Sequence, residues 1–271
     1  MASRAEAAAR PASAGPDASA RRSLPTAPSI AGSVRAAGRN AYYHSWRLLP
    51  ANVVWAATAL VLTAAVLTVP AALLLLPLLA LPTAGIFRVT TRIARGQAVS
   101  FWDAIDAWRV DVGWTLAFGA ALVGATAVLG FNAVSGLGSE TAIGWALATL
   151  AAWGIVAAWL VAWIGWPLLV DPDRGDRPFA DRLQLAALLV LAHPLRVGAL
   201  GAVLAVFLAV STVAIVALVT ISVSFAALVA SQVALPAADR LGAQLGRDLP
   251  GPVTDAGDLP AGPRPEASTP T

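Results

Sequence analysis

Residues 53–87 read VVWAATALVLTAAVLTVPAALLLLPLLALPTAGIF, and how often this stretch crosses a bilayer decides the fold. It runs 35 residues without Asp, Glu, Lys, Arg or His. A helix needs only about 20 residues to span the hydrocarbon core. The stretch is therefore either one long helix or a hairpin of two short ones. Uncharged apolar runs also occupy 112–134, 142–170 and 197–235, and the last of them poses the same choice. These runs lack the periodicity of a helix with one buried face, so a membrane is the expected solvent.

Arginine placement arbitrates, because short cytoplasmic loops retain basic residues and translocated loops do not. If 53–87 crosses once, Arg88, Arg92, Arg95 and Arg109 lie opposite Arg35, Arg39 and Arg47, against that rule. If it turns near 68–70 and returns, both groups share one side. The run at 112–134 then exits, and 142–170 returns to a loop holding Arg174, Arg177, Arg182 and Arg196. A second hairpin in 197–235, turning around 216–220, brings Arg240 and Arg247 to that side together with both termini. All 18 arginines then face one compartment, and the connection SGLGSET at 135–141 carries Glu140 as its only charge. The expected fold is all-α: a polytopic transmembrane bundle of about six helices, or about five if one long run crosses once, with cytoplasmic interfacial helices.

Composition agrees. The 271 residues are 58% hydrophobic and 12% charged, with mean hydropathy +0.73, far from a soluble domain, in which about a quarter of residues are charged. Every basic residue is arginine, and there is neither lysine nor cysteine, which removes thiolate and disulfide chemistry. The net charge of +3 does not point to nucleic acid, since these arginines flank apolar segments instead of clustering among aromatic residues. Residues 1–40 lack the apolar core of a secretory signal, so the first apolar run is expected to serve as an uncleaved anchor. Residues 1–28 and 248–271, rich in Ala, Pro, Ser and Gly, read as disordered tails around a membrane domain at 29–247. Between them, 30–49 carries Arg35, Arg39, Tyr42, Tyr43, Trp46 and Arg47, which suits a short helix at headgroup level or an unstructured juxtamembrane segment.

The most structured stretch outside the spans is PTAGIFRVTTRIARGQAVSFWDAIDAWRVDVGW at 82–114. Pro82 can open a helix, Arg88, Arg92 and Arg95 lie on one face of it, and Gly96 is placed to cap its C-terminus. This helix is expected to leave the membrane basic side out. Ser100 and Asp103 have the spacing of a capping box, after which Phe101, Ile105 and Trp108 line one face and Asp103 and Asp106 turn away. The result is an interfacial amphipathic helix. Anchoring at the bilayer surface is its favoured use. The alternative is docking of a partner on a face built from Arg88, Arg92, Arg95, Trp102, Asp103, Asp106 and Arg109.

Asn52-Val53-Val54-Trp55, the Pro82-Thr83-Ala84-Gly85 turn, Ala94-Arg95-Gly96, Ser100-Phe101-Trp102-Asp103, Trp108-Arg109 and Ala192-His193-Pro194-Leu195-Arg196 together resemble the YesL-like family of bacterial membrane proteins. The likeness covers residues 40–240, departing in the proline-broken run between Pro70 and Pro82 and at Asp111. It implies a bacterial cytoplasmic membrane protein with an accessory role beside carbohydrate uptake, and it transfers no functional residue.

Other candidate sites read blandly. Three carboxylates in Asp171-Pro172-Asp173-Arg174-Gly175-Asp176-Arg177-Pro178 invite a metal, but Gly175 takes a ligand position and the arginines neutralise the charge, so a solvated turn is expected. His44 and His193 have no partner at ligand or triad spacing. Trp46, Trp55, Trp102, Trp108, Trp114, Trp145, Trp163 and Trp166 fall near span ends, where amphipathic rings settle, while Trp153 and Trp159 lie deeper. Gly119, Ala120, Gly124 and Ala127, and Gly198, Gly201 and Ala202, offer small surfaces for helix contact, within a bundle or a homo-oligomer.

The spans hold no ionisable group, only Asn132, Gln232 and scattered hydroxyls, which demotes proton relays, ion-coupled carriers and intramembrane hydrolases. No catalytic, cofactor or metal residue is expected, and the partners are the lipid bilayer and a membrane protein. The leading expectation is a non-enzymatic accessory or structural subunit associated with solute uptake. The alternative is a small transporter or channel subunit without ion coupling.

Overall fold

The computed structural model describes residues 29–100, 102–214 and 221–245, and among them every regular element is helical. Helix α1 spans Ile30–Thr68, a 3-10 helix Pro70–Leu79 runs into α2 (Ala80–Ala94), and α3 (Trp102–Val110) precedes α4 (Val112–Gly138) and α5 (Ala142–Leu169). A one-turn 3-10 helix at Pro172–Arg174, then α6 (Phe179–Ala192), α7 (Pro194–Val213) and α8 (Val223–Gln244) follow. Among the described residues five elements are long and apolar enough to cross a membrane: Ile30–Thr68, Pro70–Ala94, Val112–Gly138, Ala142–Leu169 and Pro194–Val213. Helix α8 is buried over most of its length, including Ser224, Ser231 and Gly242. It tolerates polar residues because it faces protein on all sides, and these dilute its hydropathy.

The hairpin expected within 53–87 is present. Val69 is extended at φ −135°, and the indole N–H of Trp55 donates to Thr83 Oγ1 at 3.0 Å across the turn, which sets α1 antiparallel to α2. The returning half need not be short. Its first 10 residues are 3-10 helix, which rises about 2.0 Å per residue against 1.5 Å in an α-helix. Pro70 opens this segment, and Pro77 inside it disfavours a regular α-helix because its ring crowds the carbonyl one turn back.

Helices α4 and α5 form a second hairpin. A Cβ on Gly136 would sit 2.5 Å from the Gly144 carbonyl oxygen, and Gly154 and Gly165 face Leu129 and Phe118 farther along, as antiparallel packing requires. At the tip Thr141 caps α5 by accepting from the Gly144 N–H at 3.1 Å, and Glu140 takes φ +52°. Of the small residues expected to make contacts, Gly119 meets Ala80 and Gly201 meets Leu160, whereas Gly124 and Gly198 have nothing within 4 Å. The turn expected at 216–220 lies outside the described residues, but Phe207 and Phe225 pack at 5.1 Å on either side of it.

Three expectations are corrected. Residues 30–49 form neither a separate interfacial helix nor an unstructured segment: they continue through Pro50 into the span as one 39-residue helix. Ser33, Ala37, Ala41 and Leu48 recur on one face and enter the core, leaving Arg35, Arg39, Tyr42, Tyr43 and Trp46 outside. Trp163 and Trp166 are core residues packed around Phe87, at 5.8 and 6.2 Å between ring centres, rather than residents of the interface. On α3 the buried positions are Ala104 and Ala107, because Gly85 of α2 lets the α3 backbone approach at Ala104; Ile105 and Trp108 are half-buried and Phe101 lies outside the described residues.

Candidate functional site: a convergence of helix ends

Helices α2 and α8 run parallel, since Thr90 contacts Ser231 and Arg95 contacts Asp239, with the same chain direction in each. Helix α5 ends beside them, where Arg88 of α2 reaches the Val170 carbonyl at 2.7 Å. Three C-termini therefore meet. Each carries a partial negative charge from its unpaired carbonyls, so the junction demands cations. Arginine supplies them. Arg88 and Arg182, from α2 and α6, donate to the carbonyls of Val170 and Leu169 at the end of α5.

Arg95 lies at the centre. Its guanidinium contacts Asp171 at 2.6 Å, Asp239 at 2.7 Å and Asp173 at 3.2 Å, joining α2, the loop after α5, and α8. Arg174 bridges two of the same carboxylates, Asp239 at 2.5 Å and Asp171 at 3.3 Å. Gln97 adds a hydrogen bond to Asp173 at 2.9 Å. Burial opposes the charge on Arg95, but its hydrogen bonds to Asp239 and Asp171 outweigh that, so its pKa lies above the ordinary arginine value. Asp171 is fully buried and Arg174 only 4% exposed, which overturns the expectation of a solvated turn at 171–178. Asp171 also accepts from the Asp173 N–H at 3.3 Å, so one carboxylate both caps the turn and binds arginine.

The expected docking residues divide into two groups. Arg88, Arg92 and Arg95 do not form an outward basic face. They turn inward, because Val170, Asp103, Asp171 and Asp239 offer carbonyls and carboxylates there. Arg92 pairs with Asp103 and fastens α3 to α2. The carboxylate of Asp103 also accepts from the Ser100 N–H at 2.7 Å, which is the reciprocal half of the expected capping box. Gly96 caps α2 at φ +71°, with the Gln97 N–H bonded to the Arg92 carbonyl at 2.9 Å, as its position predicts. Trp102, Asp106 and Arg109 remain on the surface, Trp102 at 66% exposure.

No family model, curated protein or solved structure matches the chain.

A second set of polar groups lies inside the bundle. The side-chain oxygen of Asn52 on α1 accepts from the Ser224 N–H at 2.9 Å, and Thr90 and Ser231 share a hydrogen bond at 3.2 Å, all four residues being buried. These bonds tie α8 to α1 and α2 where water cannot compete. His44 contacts Arg47 at 3.3 Å on α1, and His193 forms the joint between α6 and α7.

Sequence reasoning placed the arginines on one side but did not find their carboxylate partners. The signal was present: Arg95 and Asp171 follow the ends of apolar helices, Asp239 lies in the last turns of α8, and the arginine-derived topology already put those three ends together. Opposite charges delivered to one poorly hydrated place pair.

Proposed function

We propose that this chain is a non-enzymatic accessory or structural subunit of a bacterial cytoplasmic membrane, a YesL-like protein that docks a membrane partner belonging to a solute-uptake system, carbohydrate uptake in particular. The observation that carries this reading is the outer face of α3. Trp102 projects there beside Asp106 and Arg109, while the Arg92–Asp103 pair fastens the helix beneath them. An exposed tryptophan and arginine on a pre-ordered helix are the residue types that dominate interface energetics, since little entropy is lost on binding. This reading has both termini in the cytoplasm, since arginine-rich segments resist translocation.

Site-specific photo-crosslinking from position 102 in native membranes tests the proposal. A defined protein adduct, lost with Asp106→Arg, supports it; adducts to lipid alone overturn it. A small transporter or channel subunit is the second reading, favoured by the hydroxyl and amide groups of Asn52, Thr90, Ser224 and Ser231 within the bundle. Solute flux into vesicles reconstituted with the purified chain alone would support that reading over the first.

A further inference from the structure

A cleft opens beside the helix-end junction, over the C-terminus of α5. It is open to the surface and is lined by Arg88, Asp111, Trp114, Trp166, Phe179 and Arg182 among others. Trp114 and Phe179 stack at 4.8 Å with a 12° tilt and form one wall. Trp114 is itself exposed, so this wall continues onto the lipid-facing surface of α4.

A guanidinium carries five N–H donors in a fixed fork. Arg182 is more than nine-tenths buried, yet it is held by the Leu169 carbonyl through Nη1, and its buried Nε has no partner among the described residues. Arg88 likewise gives Nη1 to Val170. Among the described residues neither is paired with a carboxylate in a salt bridge, in contrast to Arg92, Arg95 and Arg174 close by. Among the side chains lining the cleft two guanidiniums face the single carboxylate of Asp111, while Asp103 and Asp171 act on Arg88 from outside the lining. The carbonyls that end α5 meet part of this charge, and the donors they leave over, Arg182 Nε among them, remain available to an anion.

We propose that this cleft binds a phosphate group, with Arg88 and Arg182 as donors and Asp111 as a moderating negative charge. Planar guanidinium forks match phosphate oxygens in pairs. The aromatic wall suits a phosphate that arrives on an apolar body. A phospholipid headgroup and free inorganic phosphate present the same chemistry, and they are separated by experiment.

The full chain, purified in neutral detergent and stripped of lipid, is titrated with inorganic phosphate and, separately, with phosphatidylglycerol in mixed micelles. Binding of phosphatidylglycerol alone assigns the headgroup, and binding of both assigns the phosphate itself. Either supports the site. Arg88→Gln is expected to weaken binding about tenfold, the loss of one charge-assisted contact. Asp111→Asn is expected to tighten binding several-fold, a gain that misfolding does not produce. Glu140→Gln, which removes an exposed carboxylate at the α4–α5 tip, is expected to leave affinity unchanged. The proposal is overturned if neither probe binds, if Asp111→Asn does not tighten binding, or if Glu140→Gln tightens it equally. None of these results bears on whether α3 docks a protein, so the two proposals fail separately.

Discussion

Arg95 and Asp239 meet at 2.7 Å although 144 residues separate them in the chain. The contact joins the end of the first hairpin to the end of the last helix, and Asp171 joins the α5 end to the same guanidinium. Removing Arg95 leaves the fully buried Asp171 with Arg174 as its one remaining salt-bridge partner among the described residues. Arg95→Met is expected to destabilise the protein by about 3–5 kcal/mol, the cost of stranding a buried charge. Asp239 is 44% exposed, and solvent screens it, so Asp239→Asn should cost about 1 kcal/mol. Thermal unfolding in detergent compares the two; equal losses would mean that Asp171 does not depend on Arg95.

Helix α3 is fastened largely by the Arg92–Asp103 pair, whose Asp103 also caps the helix start. Asp103→Ala is expected to loosen 102–110 while leaving α8 intact. Hydrogen exchange should rise in α3 by about tenfold, corresponding to roughly 1.4 kcal/mol of local opening, with α8 unchanged. The same variant should reduce crosslinking from position 102, because the docking helix is no longer held.

Two glycines of α4 separate packing from propensity. A Cβ at Gly119 would meet Ala80 Cβ at 2.5 Å, so Gly119→Ala must push α4 from α2, at about 1–3 kcal/mol. Gly124 has open space around it, and Gly124→Ala should be neutral or stabilising by up to about 1 kcal/mol. Melting temperatures of the paired variants check this, and equal shifts would refute the placement of α4.

Asn52 is buried and accepts from both the N–H and hydroxyl of Ser224. Asn52→Ala should cost about 1–3 kcal/mol by leaving the Ser224 N–H unsatisfied, while the Ser224 hydroxyl keeps the Leu48 carbonyl at 3.3 Å. Ser224→Ala removes only the hydroxyl, so thermal unfolding should show it to cost less than Asn52→Ala; an equal or larger loss would show that the hydroxyl and not the N–H carries the contact.

Features that depend on local chemistry were legible in the sequence. The Gly96 cap and the helix after Ser100 each follow from residues within a few positions of one another, and the reversal at Val69 from arginine placement in the flanking loops. Among the described residues Arg88, Arg95, Arg174 and Arg182 gather at one end of the bundle, as the charge-based topology expects of them. The burial of Asp171 and Arg174 was not legible, because a charged turn looks solvated until the helices that cover it are placed. For the same reason Arg88, Arg92 and Arg95 read as an outward face, although their partners come from the carbonyl of Val170, from α3, from the 171–174 turn and from α8. The unbroken course of α1 through Pro50 was hidden because its first half buries small alanines rather than large apolar side chains.

The central claim is that the arginine-bearing helix ends occupy one side of the membrane and the α4–α5 tip the other. The chain contains no cysteine, so single substitutions report cleanly. Gly138→Cys, in open space near the tip, and Asp106→Cys, exposed on α3, are treated in intact cells with a membrane-impermeant thiol reagent. The account predicts labelling at 138 in intact cells and at 106 only after permeabilisation; labelling of both from the same side would contradict it.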